Sequence, residues 1–402
     1  MEFVKVGIVG LGNIGSVHAK SIFQNKIKGL KLTAVCDIEQ SCIEWAKENF
    51  EGITCYSSYE DMVTSGTIDA VIIAVPHYLH PEFAINALSN GLNVLSEKPI
   101  GVFEQEFIKL NETACKSGKV FAIMHNQRTS PIYSKIRELV QAGKLGRTTR
   151  LNWTVTNWYR TQEYYDSGTW RATWEGEGGG VLLNQAYHNI DLWQWMFGMP
   201  SAIRGFCSEG KFHDIEVEDE ASIYAEYENG ATAFFTASTG EFPGTNRLEV
   251  CGTLGKITAE NGRLFLWSAE VAGEQTQEAE GEIRDYSKLY WEHKEIVIDS
   301  VETGHLGILQ NFTNAILTGE ELLSPGYEGV NALRIINAAY YSSWQSNKRV
   351  DLPVDADIYF SALSERIKAA QAAPPGQKSS GAANADKKPP DEQYSNRWKI
   401  NW

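Results

Sequence analysis

The sequence is short of positive charge, of paired cysteines and of long apolar runs, and each shortage closes off a class of function. Against 51 acidic residues stand 36 lysines and arginines, a formal charge of −15, so nucleic acid and anionic membrane surfaces would be repelled by the average face of the molecule. The six cysteines, Cys36, Cys42, Cys55, Cys115, Cys207 and Cys251, form no C-x-x-C pair and have no matching histidine cluster. Neither a disulfide framework nor a metal site is expected, and a reducing compartment fits that usage. No stretch nears the roughly 20 uninterrupted apolar residues of a membrane span. The opening MEFVKVGIVG has no basic region, extended apolar run or cleavage site of a signal peptide. A cytoplasmic protein is the expectation, and its 402 residues suffice for two cores.

What is present begins with GLGNIGSVHAKSIF, where Gly10, Gly12 and Gly15 satisfy G-x-G-x-x-G between an apolar strand and a helical stretch. In that context the first glycine permits a tight turn, the second lets backbone approach a pyrophosphate, and the third allows close helix–strand packing. Asn13 and Ile14 fall at the helix start, whose free amides face an anion. A second strand, KLTAVCD, ends in Asp37, at the distance of about 20 residues where a carboxylate holds ribose hydroxyls. No lysine or arginine follows in DIEQ to neutralise a 2′-phosphate, so NAD is expected as cofactor rather than NADP.

Apolar runs alternating with helical segments continue through DAVIIAV, PEFAINALSNG, NVLSE and KVFAIMHN, which predicts a doubly wound parallel Rossmann sheet over residues 1–124. Ligands of such sheets bind beyond the strand ends, so Pro76, His77, His80, Glu97, Lys98 and His125 become candidates. Over residues 125–368, closely spaced strands such as TTRLNWTVTNW, ATAFFTAST and GKITAENGRLFLWS, with three helices, predict an α/β domain on a largely antiparallel open sheet. Residues 369–402, rich in Ala, Pro, Gly and Lys before the terminal QYSNRWKINW, read as an extended arm whose aromatic end docks on the body or on a neighbouring subunit.

Taken together, GLGNIG, VPHYLH, SEKPIG and the central GGGVLLNQAYHNID resemble the Gfo/Idh/MocA oxidoreductases over roughly residues 3–350. The resemblance implies that Lys98 of E-K-P and His188 are catalytic, that Pro76, His80, Glu97 and Lys98 border the cofactor, and that Asn126 and Arg128 border the substrate. It also implies a homo-oligomer formed through the second domain's open sheet. Three departures stand out. The family's aspartate four residues before the histidine is Asn184 here, its glycine two before is Ala186, and T-P-N-x-x-H has become V-P-H-Y-L-H.

Oxidising a secondary alcohol requires a base near the hydroxyl as hydride leaves for the nicotinamide, and histidine is the natural one. His188 therefore reads as that base, Lys98 as the hydrogen-bond donor that polarises the hydroxyl, and Asn184 as a neutral positioning group; no metal is needed. If the segment after the glycines is helical, Asn184, His188 and Asp191 share a face, so Asp191 would orient the imidazole and the glycines would let the chain approach cofactor or substrate. Trp153, Trp158, Tyr159, Trp170 and Arg171, with Tyr164, Tyr165, Trp174, Asn157 and Arg160 among them, suit the apolar faces and hydroxyls of a ring. A sugar, a glycoside (C3 of a pyranoside being one position) or an inositol is the expected substrate. The alternatives are a glycosidase that retains NAD and acts through transient oxidation, and a dinucleotide-binding protein without catalysis.

Overall fold

Val4, Val6 and Ile8 of the first strand, Val4–Val9, are wholly buried, and so, on the strand's other face, is most of Val9. That is the pattern of a strand covered by helices on either side. The computed structural model describes residues 2–168, 170–271 and 289–372. Within them β1 (Val4–Val9), β2 (Leu30–Cys36), β3 (Thr54–Tyr56), β4 (Ala70–Ile73), β5 (Asn93–Ser96) and β6 (Phe121–Ile123) form one sheet. Its order is β3-β2-β1-β4-β5-β6, with every pair parallel, as the strand–helix alternation predicts. The chain reverses its direction of winding between β1 and β4, which opens a crevice beyond their carboxyl ends.

The second sheet contains β7 (Thr148–Val155), β8 (Ala202–Glu209), β9 (Glu218–Glu226), β10 (Thr232–Ser238), β11 (Asn246–Gly252), β12 (Gly255–Glu260), β13 (Arg263–Val271), β14 (Leu289–Ile296) and β15 (Val350–Asp351). Its order is β14-β13-β12-β11-β7-β10-β9-β8-β15. Neighbours run antiparallel except β7 and β10, which are parallel. The GKITAENGRLFLWS run is two strands rather than one. Asn261 and Gly262 take φ of 52° and 74° and close a two-residue hairpin between β12 and β13.

Helices Tyr187–Phe197 and Gly329–Trp344 cover one face of this sheet, with Trp193 stacked on Phe235 at 5.7 Å. The other face leaves Phe206 and Phe234 exposed. Helix Gly304–Thr318, although late in the chain, returns to the first sheet and buries Ile308, Leu309 and Phe312 in one cluster with Val4, Val6 and Ile8. The last described helix runs Ala356–Ala372, so the expected arm begins later than residue 369. The remainder of that arm, with its terminal aromatics, lies outside the described residues.

Candidate active site

At the crevice the three glycines of the first loop are needed for three different reasons. Gly10 has φ +86°, and a Cβ on it would run into the carbonyl oxygen of Ala74. A Cβ on Gly15 would strike the carbonyl of Gly10, which seats the helix Asn13–Phe23 against the turn. Gly12 has open space where its side chain would be, the place left for a ligand's approach. Asp37 accepts the Leu11 amide at 2.6 Å and the Glu39 amide at 2.9 Å, which fixes its carboxylate beside the loop. The open Gly12, the uncapped helix start at Asn13 and Ile14, and this fixed acid fit a dinucleotide.

Strand β5 delivers Lys98 at its end. The ammonium donates to the Asn184 carbonyl oxygen at 2.9 Å and to its side-chain oxygen at 3.3 Å. Burial lowers the Lys98 pKa to about 8, opposed by the nearby charges of Glu97 and Glu177. Asn184 lies in the turn that precedes helix Tyr187–Phe197, and His188 opens that helix. The His188 ring lies 6.4 Å from that of Trp158, nearly parallel to it, and its Nδ1 is buried with no hydrogen-bond partner. Burial, then the Lys98 charge, holds the imidazole well below its ordinary pKa, so it is neutral and able to take a proton. The two groups implied by the motifs are thus coupled in one site, from positions 98 and 188.

Glu177 is an acid beside Asn184 that reading the sequence did not single out. It accepts the Asn184 side-chain amide and, at 2.6 Å, the Ala172 amide, while its own carbonyl is 3.0 Å from His77 Nδ1. Burial pushes its carboxyl up, with Arg171 the main opposing charge. The signal was present as the acid immediately ahead of the triple glycine in EGEGGG. A carboxylate therefore stands one hydrogen bond behind the position where Asn184 replaces an acid.

The triple glycine does a different job from the one expected. Gly178 has φ +83° against Val102, a Cβ on Gly179 would meet the Tyr340 ring, and one on Gly180 would strike the backbone of Glu218. Glu218 then accepts the amides of Gly180 and Leu182, each at 2.9 Å, and the Tyr340 hydroxyl at 2.7 Å. These glycines let the chain press against β9 and a neighbouring helix rather than against a ligand.

Other expected roles are also corrected. Asp191 has its carboxylate engaged elsewhere than at His188: it accepts Arg128 Nε at 2.8 Å and Nη2 at 2.7 Å, and Gln194 Nε2 at 3.0 Å. Arg128 is fully buried and held also by Glu328 and the Leu323 carbonyl, the arrangement of a junction ion pair. His80 has its ring nitrogens 2.6 and 2.7 Å from the carbonyls of Pro99 and Val75, and Glu97 takes His18 at 2.7 Å and the Lys98 amide at 3.3 Å. Their polar side-chain atoms are used within the protein, as supports of the Lys98 loop. Trp153 is core, bonded to Asn246, and Tyr159 packs at the surface beside Phe242. Trp158, Trp170 and Arg171 do cluster at the site, Trp170 edge-on to His77 at 5.6 Å. Asn126 keeps a buried, unpartnered Oδ1, and Pro76 precedes the short turn His77–Leu79 at the end of β4.

Comparison with known proteins agrees with this fold. Residues 4–125 match the model of an oxidoreductase family with an NAD-binding Rossmann fold, and residues 133–258 match the GFO/IDH/MocA C-terminal domain. The uncharacterised oxidoreductase YrbE of Bacillus subtilis is 28% identical over 348 residues, covering 84% of this chain and 94% of its own. The scyllo-inositol 2-dehydrogenase (NAD(+)) of the same organism is 27% identical over 266 residues, 63% of this chain and 73% of its own. Among solved structures, the WlbA dehydrogenase of Chromobacterium violaceum in complex with NADH and UDP-GlcNAcA superposes with a TM-score of 0.75 at 25% identity, covering 88% of this chain and 97% of that one.

Proposed function

The chain belongs to the Gfo/Idh/MocA oxidoreductases, with an NAD-binding Rossmann domain, and from that premise we propose a dehydrogenase that oxidises a secondary ring hydroxyl of a sugar, glycoside or inositol to the ketone. The observation that carries the reading is the convergence of Lys98 and His188: the ammonium is bonded to Asn184, four residues ahead of a neutral imidazole with a free ring nitrogen. NAD supplies the hydride acceptor. Gly10, Gly12, Asn13, Ile14, Gly15 and Asp37 would hold it, and the Asp37 carboxylate would repel a 2′-phosphate.

In this reading His188 takes the hydroxyl proton and Lys98 donates a hydrogen bond to the same oxygen, favouring the charge that grows there. Asn184 holds the ammonium in place and is itself held by Glu177. Inositol and sugar substrates are supported by the relatives, one being a scyllo-inositol dehydrogenase. A second copy of this chain is the partner proposed for the open sheet face that carries Phe206 and Phe234.

The test is a screen of monosaccharides, glycosides and inositols for NADH absorbance with the purified protein. Replacing His188 or Lys98 with Ala should lower kcat at least about a hundredfold, the size of a lost acid–base group, with NAD affinity by fluorescence titration nearly kept. Unchanged turnover in His188→Ala would remove its role, and release of aglycone without net NADH would move the reading to a glycosidase.

A further inference from the structure

In a chain with 51 acidic and 36 basic residues, three of the six buried or half-buried arginines among the described residues have an acid as partner. Arg128 has Asp191 and Glu328, Arg334 has Glu104, and Arg366 has Glu209. Two arginines beside the active site do not. Among the described residues, neither Arg160 nor Arg171 has a carboxylate oxygen within 4 Å; their hydrogen bonds go to backbone carbonyls and to the Tyr164 hydroxyl.

These two guanidinium groups lie 5.0 and 4.9 Å from the centroid of the same Tyr164 ring. Arg171 also lies over Trp170 at 4.5 Å, and Arg160 lies 5.6 Å from Trp158, the ring that stacks against His188. The arc is therefore one aromatic ring away from the catalytic imidazole. Gln185, next to Asn184, reaches the Tyr164 hydroxyl at 3.3 Å, and its Oε1, like Arg160 Nε, is buried with no partner. The acid facing this arc is Glu177, and both of its carboxylate oxygens are taken, by Asn184 and by the Ala172 amide. Two like charges thus lie against one tyrosine ring, one of them with an unmet Nε–H, beside the ring that stacks on His188. Planar guanidinium forks match carboxylate and phosphate oxygens, and a neutral ring hydroxyl would leave both forks without an anion bonded to them.

We propose that the substrate carries an anionic substituent, a carboxylate or a phosphate, received by Arg160 and Arg171 beside Tyr164 while its ring hydroxyl faces His188. The inference rests on the dehydrogenase reading of the same site and narrows its substrate class.

The experiment measures NAD reduction on matched pairs: glucose with glucuronate and glucose 6-phosphate, galactose with galacturonate, and N-acetylglucosamine with its 6-phosphate. Wild-type protein should prefer an acidic member over its neutral parent by about tenfold or more in kcat/KM, the worth of a hydrogen bond to a charged group. Which acid is preferred separates carboxylate from phosphate. In R160Q/R171Q that ratio should collapse, and in R160K/R171K part of it should return. NADH titration shows that each variant is folded. Equal rates on acidic and neutral members, or an unchanged ratio in the double Gln variant, would overturn the inference and leave the dehydrogenase reading intact. No NAD reduction by any ring compound, in this panel or in the wider screen, would overturn both.

Discussion

Lys98 is the residue whose chemistry depends most on its neighbours. Its pKa, lowered to about 8 by burial, is raised by Glu97 and Glu177 and lowered by Arg171 and Arg160. The ammonium therefore persists below about pH 8 and is lost above it. If its charge assists the reaction, kcat/KM for oxidation should fall as pH rises through that value, with no matching acidic limb near 6.5, because His188 titrates well below its ordinary value. In Glu177→Gln a charge that favours the ammonium is gone, so the alkaline limb should move to lower pH. A pH–rate profile identical to wild type would assign Glu177 a purely structural part. Lys98, His188 and Asn184 were legible because short motifs carry them. Glu177 was not, because its bond to Asn184 depends on how a turn of several glycines folds back on itself, which no local pattern encodes.

At the scale of elements, the two glycine-rich turns look alike in sequence and behave oppositely. Gly12 opens onto empty space, whereas Gly180 touches the backbone of Glu218. Gly12→Ala should leave urea unfolding within about 0.5 kcal/mol of wild type, as for a surface change, and weaken NAD binding. Gly180→Ala should cost about 1–3 kcal/mol or more through overpacking against backbone and reduce turnover by shifting Asn184. Equal stability of the two variants would reverse the assignment. The strands and most helices were readable from period and composition, including the alternation that builds β1 to β6. The register of helix Tyr187–Phe197 was not: Asp191 sits three positions beyond His188, and its face is set by the buried Arg128 that it meets. Hydrophobic period gave no warning, since nearly every residue of that helix is buried.

Across the whole molecule, Arg128 joins elements far apart in the chain: Asp191, Glu328 and the Leu323 carbonyl all meet its guanidinium. Arg128→Ala would strand a buried carboxylate, and chemical denaturation should show a loss of about 3–5 kcal/mol. The Asp191 carboxyl is held below its ordinary value, first by Arg128 and then by His125, against the cost of burial. A depressed carboxyl stabilises the fold above its unfolded value, 3.8, and that contribution disappears as pH falls through the folded value. Acid unfolding should therefore steepen below about pH 4 in wild type and be flatter in the variant.

Helix Gly304–Thr318 carries the longest reach of all. Ile308, Leu309 and Phe312 lie on β1, and each contributes about 1.5–3 kcal/mol by leaving water. A ribosome that has released only the opening 124 residues has made a nucleotide fold with one flank still wet. The nucleotide fold is closed by a helix that begins only at residue 304, so a gene truncated after residue 124 should yield a sticky, aggregating fragment.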